Sequence, residues 1–415
     1  MHLWRQRDYV LWLIGDTAGT LSSSMRVFAV PLATFYVTHS ATAAGFITGL
    51  TSITFAVLSL PGGVVIDAHD RRQMIMTYAV SGMALHGVFG VLLLTGHTPI
   101  QVLIAYAILS GARAGLLGNT TNVALKSVVS DDSLTEAFGA NQARDEIVSL
   151  LSGPFAGLMF AISPALPFFV ELLGAATLAV SFMFIRAPLA AQNDEAAKSA
   201  DSPFADLLDG LRWVAHNPVV RRLISVSFPL TLGMTGIESA VIIHLQAIGT
   251  PTGTVGLVSA GAGLGALVGA LSTSVIARRF PTGWTMICGS LLMCFCYIPI
   301  AFVSHIPLII ASIGCAAACI AVVNAQFGSY FMHIVPDNIL GRALAVSSLV
   351  GMGSGGLGSM LAGFGLGSFD FRLTIVGLLA VLATAVPLLL SSSHLRAVPL
   401  PAQWSTAELT QAAAS

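Results

Sequence analysis

Charge is what this sequence has least of. Only 9% of its 415 residues are Asp, Glu, Lys or Arg, and eighteen basic against nineteen acidic side chains leave a net charge of −1. Soluble domains carry about 25% charged residues, so a water-solvated surface for a chain of this length is excluded. Nucleic-acid binding needs a basic excess and clustered Lys/Arg, and neither is present. Cysteine is scarce as well: Cys288, Cys294, Cys296, Cys315 and Cys319 all sit in apolar stretches. An odd count without CxxC or His/Cys spacing argues against a disulfide framework and against a metal site. These five are expected to be small apolar residues between helices. No GxxxxGK[ST], HExxH or GxSxG run occurs, so no nucleotide loop, catalytic zinc or nucleophile elbow is expected, and no cofactor.

Apolar length is what the sequence does have. Hydrophobic residues make up 55% of it and the mean hydropathy is +0.85. Twelve spans of roughly 20 residues would use about 240, leaving ample chain for connections. Apolar runs between polar breaks place them near 9–38, 43–66, 73–95, 99–124, 138–162 and 165–186, then 220–247, 254–277, 283–303, 307–331, 343–366 and 371–392. The first follows Arg5 and Arg7 without an A-x-A cleavage pattern and is expected to be a membrane helix with polar interior residues. With the N-terminus inside, fifteen of the eighteen Lys and Arg fall on the cytoplasmic side and only Arg372 on the other. The positive-inside rule then puts both termini in the cytoplasm, and a multi-pass protein of the cell's inner (plasma) membrane is expected.

The expected organisation is a six-helix bundle over 1–186, a linker over 187–219, a second six-helix bundle over 220–392 and a cytoplasmic tail over 393–415. Within the linker, Ser202-Pro203 is a helix-start signal, with Phe204, Leu207, Leu208 and Leu211 following at helical spacing. A short amphipathic helix on the membrane surface is expected there, ending at Asn217-Pro218. Each half places a basic pair after its second span, Arg71-Arg72 and Arg278-Arg279. Such internal repeats are a common construction in secondary transporters.

Ionisable groups inside spans face a bundle interior or a cavity because hydrocarbon disfavours them. Span one holds Asp16 and Arg26, ten residues or about 15 Å apart along a helix, too far to pair directly. Span four holds Arg113, for which Asp16 is a possible partner, together with Asn119 and Asn122. Glu171 lies at the outer end of span six, and Glu238 lies in span seven. His86 and His244, alone on apolar helices, are expected to be core histidines. Arg144, Asp145 and Glu146 open span five, either facing the loop after span two or solvated.

That loop reads Gly63-Val-Val-Ile-Asp67-Ala-His-Asp-Arg71-Arg72. It resembles the signature loop of the major facilitator superfamily. Gly63 would let helices approach, and Asp67, Arg71 and Arg72 would form a charge network closing the cytoplasmic side. Gly153-Pro154-Phe-Ala-Gly157 in span five is similar to the G-P-x-x-G element of exporters in that superfamily, where proline bends the helix and the glycines seat a neighbour. "SLPGGVVIDAHDRR", "AFGANQARDEIVSLLSGPFAG", "LLDGLRWVAHNPVVRRLI" and "VPDNILGRALAVSSLVGMGSGGLGSMLAG" make the chain resemble the macrolide-efflux and siderophore-export branch from about residue 5 to 392.

The resemblance implies an all-α membrane protein of twelve helices in two pseudo-symmetric bundles. It also puts Asp16, Arg26, Arg113, Glu238 and Asn324 near a central cavity, with Arg113 in the place of a proton-relay arginine. The function expected is proton-coupled efflux of a small lipophilic or amphipathic compound by a monomer, through alternating access. Export of an endogenous metabolite such as a siderophore is the alternative; a nutrient importer or a membrane receptor are weaker ones. No clustered nucleophile, base or metal ligand suggests an enzyme.

Overall fold

A computed structural model describes residues 6–129, 133–187, 189, 203–303 and 305–404. Among them the regular structure is helical throughout. The chain forms two compact units, Met1–Pro203 with Ile242–Ala260, and Phe204–Val241 with Gly261–Ser415.

The first unit contains α1 (Arg7–Thr38), α2 (Ala41–Ala68), α3 (Arg71–Leu94), α4 (Ile100–Leu117), α5 (Thr120–Val128), α6 (Leu134–Ile162) and α7 (Leu166–Phe184). Polar residues ahead of the apolar runs set the starts: Ser40 Oγ accepts the Ala43 amide, and Asp70 Oδ1 accepts that of Gln73 at 3.0 Å. Such caps satisfy amides that the first turn leaves open. Span four is interrupted at Gly118-Asn119, which separates α4 from α5. α2 and α4 approach closely. A Cβ on Gly111 would stand 2.5 Å from the Thr51 carbonyl oxygen and one on Gly115 2.7 Å from that of Phe55, so only glycine lets these backbones meet.

α8 (Pro203–His216) stops just before Asn217-Pro218, as expected; Ser202 of the expected start signal lies outside the described residues. Asn217 Oδ1 accepts the amides of Val219 and Val220, opening α9 (Pro218–Ala247) with proline in its first turn. α10 (Thr252–Arg279), α11 (Thr282–Tyr297), a 3-10 turn (Ile298–Ala301), α12 (Ile306–Ile334), α13 (Asp337–Ser368), α14 (Phe371–Ala383), α15 (Ala385–Leu390), α16 (Ser393–Ala397) and a last 3-10 turn (Pro401–Gln403) follow. α9 and α10 contribute to both units.

Among the described residues eleven helical segments are long and apolar enough to cross a membrane. α1 has the length, 32 residues or about 48 Å, but Asp16, Arg26 and its Thr and Ser residues lower its apolarity. Large apolar side chains are bare along whole faces, as at Ile147, Leu151, Phe155, Leu158 and Ile162 of α6. Stripes of this size require an apolar solvent, and the molecule is a multi-pass membrane protein.

Candidate functional site

The expected intramembrane ions fall into three separate places. The first is a dry cluster where α1, α3, α4 and α7 meet. Arg26 Nε donates to Glu171 Oε1 at 2.8 Å, and Arg113 Nη2 lies 3.9 Å from the same oxygen. His86 Nε2 is 3.1 Å from both Glu171 Oε1 and Arg113 Nη2, while its Nδ1 is 2.9 Å from the Tyr106 hydroxyl. In one tautomer the imidazole donates to Glu171 and accepts from Tyr106; in the other it accepts from Arg113 and donates to Tyr106. Arg113 also donates to the Tyr78 carbonyl at 2.9 Å, with its guanidinium 4.1 Å from the Tyr78 ring centre.

Helical spacing assembles this site. Tyr106 and Arg113 are two turns apart on α4, and His86/Phe89 and Glu171/Phe168 are one-turn pairs on α3 and α7. Phe89 stacks on Tyr106 at 3.9 Å with Phe168 edge-on to both, which seals one side. Every member is buried, His86 completely. Two guanidiniums oppose one carboxylate, so with His86 neutral the cluster carries an excess positive charge. Arg113 Nε and Glu171 Oε2 have no hydrogen-bond partner. Arg113 therefore joins Glu171 and His86, not Asp16, and His86 is a member of the cluster rather than an isolated core histidine.

Asp16 occupies the second place. Its Oδ2 lies 2.6 Å from Arg144 Nη1 of α6. Arg144 also holds Asp145 at 2.7 Å and Thr17 at 3.3 Å, and its guanidinium lies 5.7 Å from the Trp12 ring centre. Arg144 thus faces α1 rather than the loop after span two, and Asp145 lies half-exposed beside it. In that loop Arg72 donates to the Phe182 and Ile185 carbonyls at 3.1 and 2.6 Å, capping the last turn of α7, and Arg71 donates to Ser127 at 3.0 Å. Cations at a helix C-terminus complement its dipole and open carbonyls. The Asp67 side chain lies outside the described residues. Gly63 is exposed with open space around it, whereas its neighbour Gly62 abuts the Gly115 carbonyl; the close approach belongs to Gly62.

Glu238 is the third, in the second unit. The Tyr297 hydroxyl donates to it at 3.4 Å, and no cation pairs with it among the described residues. Asn324 is exposed on α12 and lines a narrow cleft between α9, α11 and α12. Asn119 and Asn122 are exposed at the α4–α5 break, hydrogen-bonded to each other at 3.0 Å. Pro154 lies inside α6, and the flanking glycines seat the start of α10: a Cβ on Gly157 would stand 2.5 Å from the Thr252 carbonyl, and one on Gly256 2.7 Å from that of Gly153. Among the described residues no group of three or more His, Cys, Asp or Glu could hold a metal ion.

A family model, transmembrane secretion effector, matches residues 5–413. The chain belongs to this family. Among its relatives, the enterobactin exporter EntS of Salmonella typhi is 24% identical over 374 residues, covering 85% of this chain and 86% of that protein. The multidrug efflux pump Tap of Mycolicibacterium fortuitum is 22% identical over 353 residues, covering 84% and 86%. Solved structures share the fold: a bacterial homologue of the iron transporter ferroportin (TM-score 0.66, 18% identity, 94% of this chain and 99% of that one) and the nucleoside transporter NupG (TM-score 0.72, 12%, 92% and 99%). The architecture is that of the major facilitator superfamily, in which the expected resemblance placed it, and the family members named here are transporters.

Proposed function

We propose that this protein is a secondary exporter of the inner membrane, with both termini cytoplasmic, that exchanges protons for a small lipophilic or amphipathic compound by alternating access. The observation that carries the coupling is the contrast among its buried acids. Asp16 and Glu171 each lie within 3 Å of an arginine nitrogen. Glu238 has only a phenol at 3.4 Å and is half-buried. A carboxylate without a counter-charge in an apolar span is stabilised by taking up a proton, so of the three it is best placed to load and release one. Protonation from outside would neutralise Glu238 for reorientation, and substrate arriving from the inside would favour release.

Similarity to exporters at 22–24% identity supports the outward direction. The relation to an enterobactin exporter keeps an endogenous siderophore as a second reading of the cargo.

The test is transport in proteoliposomes with an imposed pH gradient, offering neutral lipophilic compounds and a catecholate siderophore in parallel. Gradient-driven flux should vanish in Glu238→Gln while exchange down a substrate gradient persists. Unchanged driven flux in that variant would overturn the assignment.

A further inference from the structure

The narrow cleft in the second unit has a lining that the coupling scheme does not use. Thr231 and Met234 of α9, Met286 and Ser290 of α11, and Asn324 and Phe327 of α12 face it. Spacings of three and four place each pair on one helix face. Ser290 is completely buried, and its Oγ has no hydrogen-bond partner. Buried hydroxyls are ordinarily satisfied, often by the carbonyl four residues back in a helix. Here α11 and α12 are also in close contact: a Cβ on the preceding Gly289 would stand 2.6 Å from Val323 Cγ2. No lining side chain carries a charge.

Building on the exporter reading, we propose that this cleft is a ligand subsite that takes an uncharged ring or acyl group bearing one carbonyl or ether oxygen. Ser290 donates to that oxygen and Asn324 holds it at the mouth. Met234, Met286 and Phe327 surround the apolar part with polarizable groups that adapt to different shapes. A charged group there would be desolvated without a partner and is rejected.

Benzophenone, a neutral diaryl ketone, is the probe. On irradiation its carbonyl abstracts hydrogen from a nearby C–H, and the two radicals combine into a new C–C bond bearing a hydroxyl. With full-length protein in nanodiscs, peptide mapping should find adducts at Met234 or Met286. Ser290→Ala should lower them about fivefold, the loss of one neutral hydrogen bond, and Asn324→Phe should abolish them by filling the mouth. Anionic 4-benzoylbenzoate should not label the cleft. Labelling confined to bilayer-exposed positions, or equal in wild type and both variants, would overturn the subsite. Cleft labelling in a protein that carries no neutral compound across proteoliposomes would support the subsite and overturn the exporter reading instead.

Discussion

Glu171 and Arg113 illustrate how unequal two members of one buried cluster are. Glu171 is the single carboxylate facing Arg26 and Arg113, so Glu171→Gln leaves two guanidiniums in a dry site. Removing one partner of a buried ion pair costs about 3–5 kcal/mol. Arg113→Met removes the surplus charge and leaves the 2.8 Å Arg26–Glu171 pair, forfeiting the Tyr78 contacts. Thermal unfolding in detergent should show the larger loss for Glu171→Gln; the reverse order would mean that Glu171 is held protonated. At this scale the sequence was half legible. Arg26, Arg113, Glu171 and Glu238 stand out because ions in apolar runs demand a reason. Their partners do not, since His86 looks like any core histidine until α3, α4 and α7 are brought together. Gly62 and Gly63 are indistinguishable as letters, and only the position of α4 decides which one meets its backbone.

Helices in this chain are legible where backbone chemistry is local: α8 starts at Pro203 and stops before Asn217-Pro218, as those residues require. The region after α15 is different, because its structure depends on distant groups. The Val398 and Pro399 carbonyls accept the amides of Gly283 and Thr282 at 3.3 and 3.2 Å, capping α11, whose N-cap Pro281 offers no side-chain bond. Trp404 rests on Tyr330 and His333 of α12, with ring centres 5.5 and 5.3 Å away. The segment can dock only because Gly283 has no Cβ to meet the Leu395 carbonyl. Gly283→Val should release it, losing capping worth roughly 0.5–2 kcal/mol and so raising the undocked population about 2- to 30-fold. Faster tryptic cleavage after Arg396, with the helices otherwise intact, is the readout; an unchanged rate would show that the segment is held elsewhere.

Across the whole molecule the decisive question is whether the chain crosses the membrane eleven or twelve times. Length and apolarity select eleven segments, and the helix they omit is α1. An isolated helix bearing Asp16 and Arg26 would resist insertion, since each charge is costly at the bilayer centre. Here both are neutralised by partners in the same unit, Asp16 by Arg144 and Arg26 by Glu171, and about 48 Å of helix is more than the roughly 30 Å of hydrocarbon requires. Twelve crossings are therefore expected, with α1 inserted as part of a bundle rather than by its own hydropathy. That makes a parity prediction. In a background with the five cysteines replaced, single cysteines at exposed His69 and His216 lie four crossings apart, as do those at exposed His97 and Ile248. An impermeant maleimide added to intact cells should label His97→Cys and Ile248→Cys and spare His69→Cys and His216→Cys. Gln6→Cys separates the two counts: with α1 spanning it is spared along with His69→Cys, and with α1 outside the bilayer it is labelled along with His97→Cys. Labelling at residue 6 would mean that the Asp16–Arg144 and Arg26–Glu171 pairs do not lie within the membrane, and the twelve-helix architecture would fall with them.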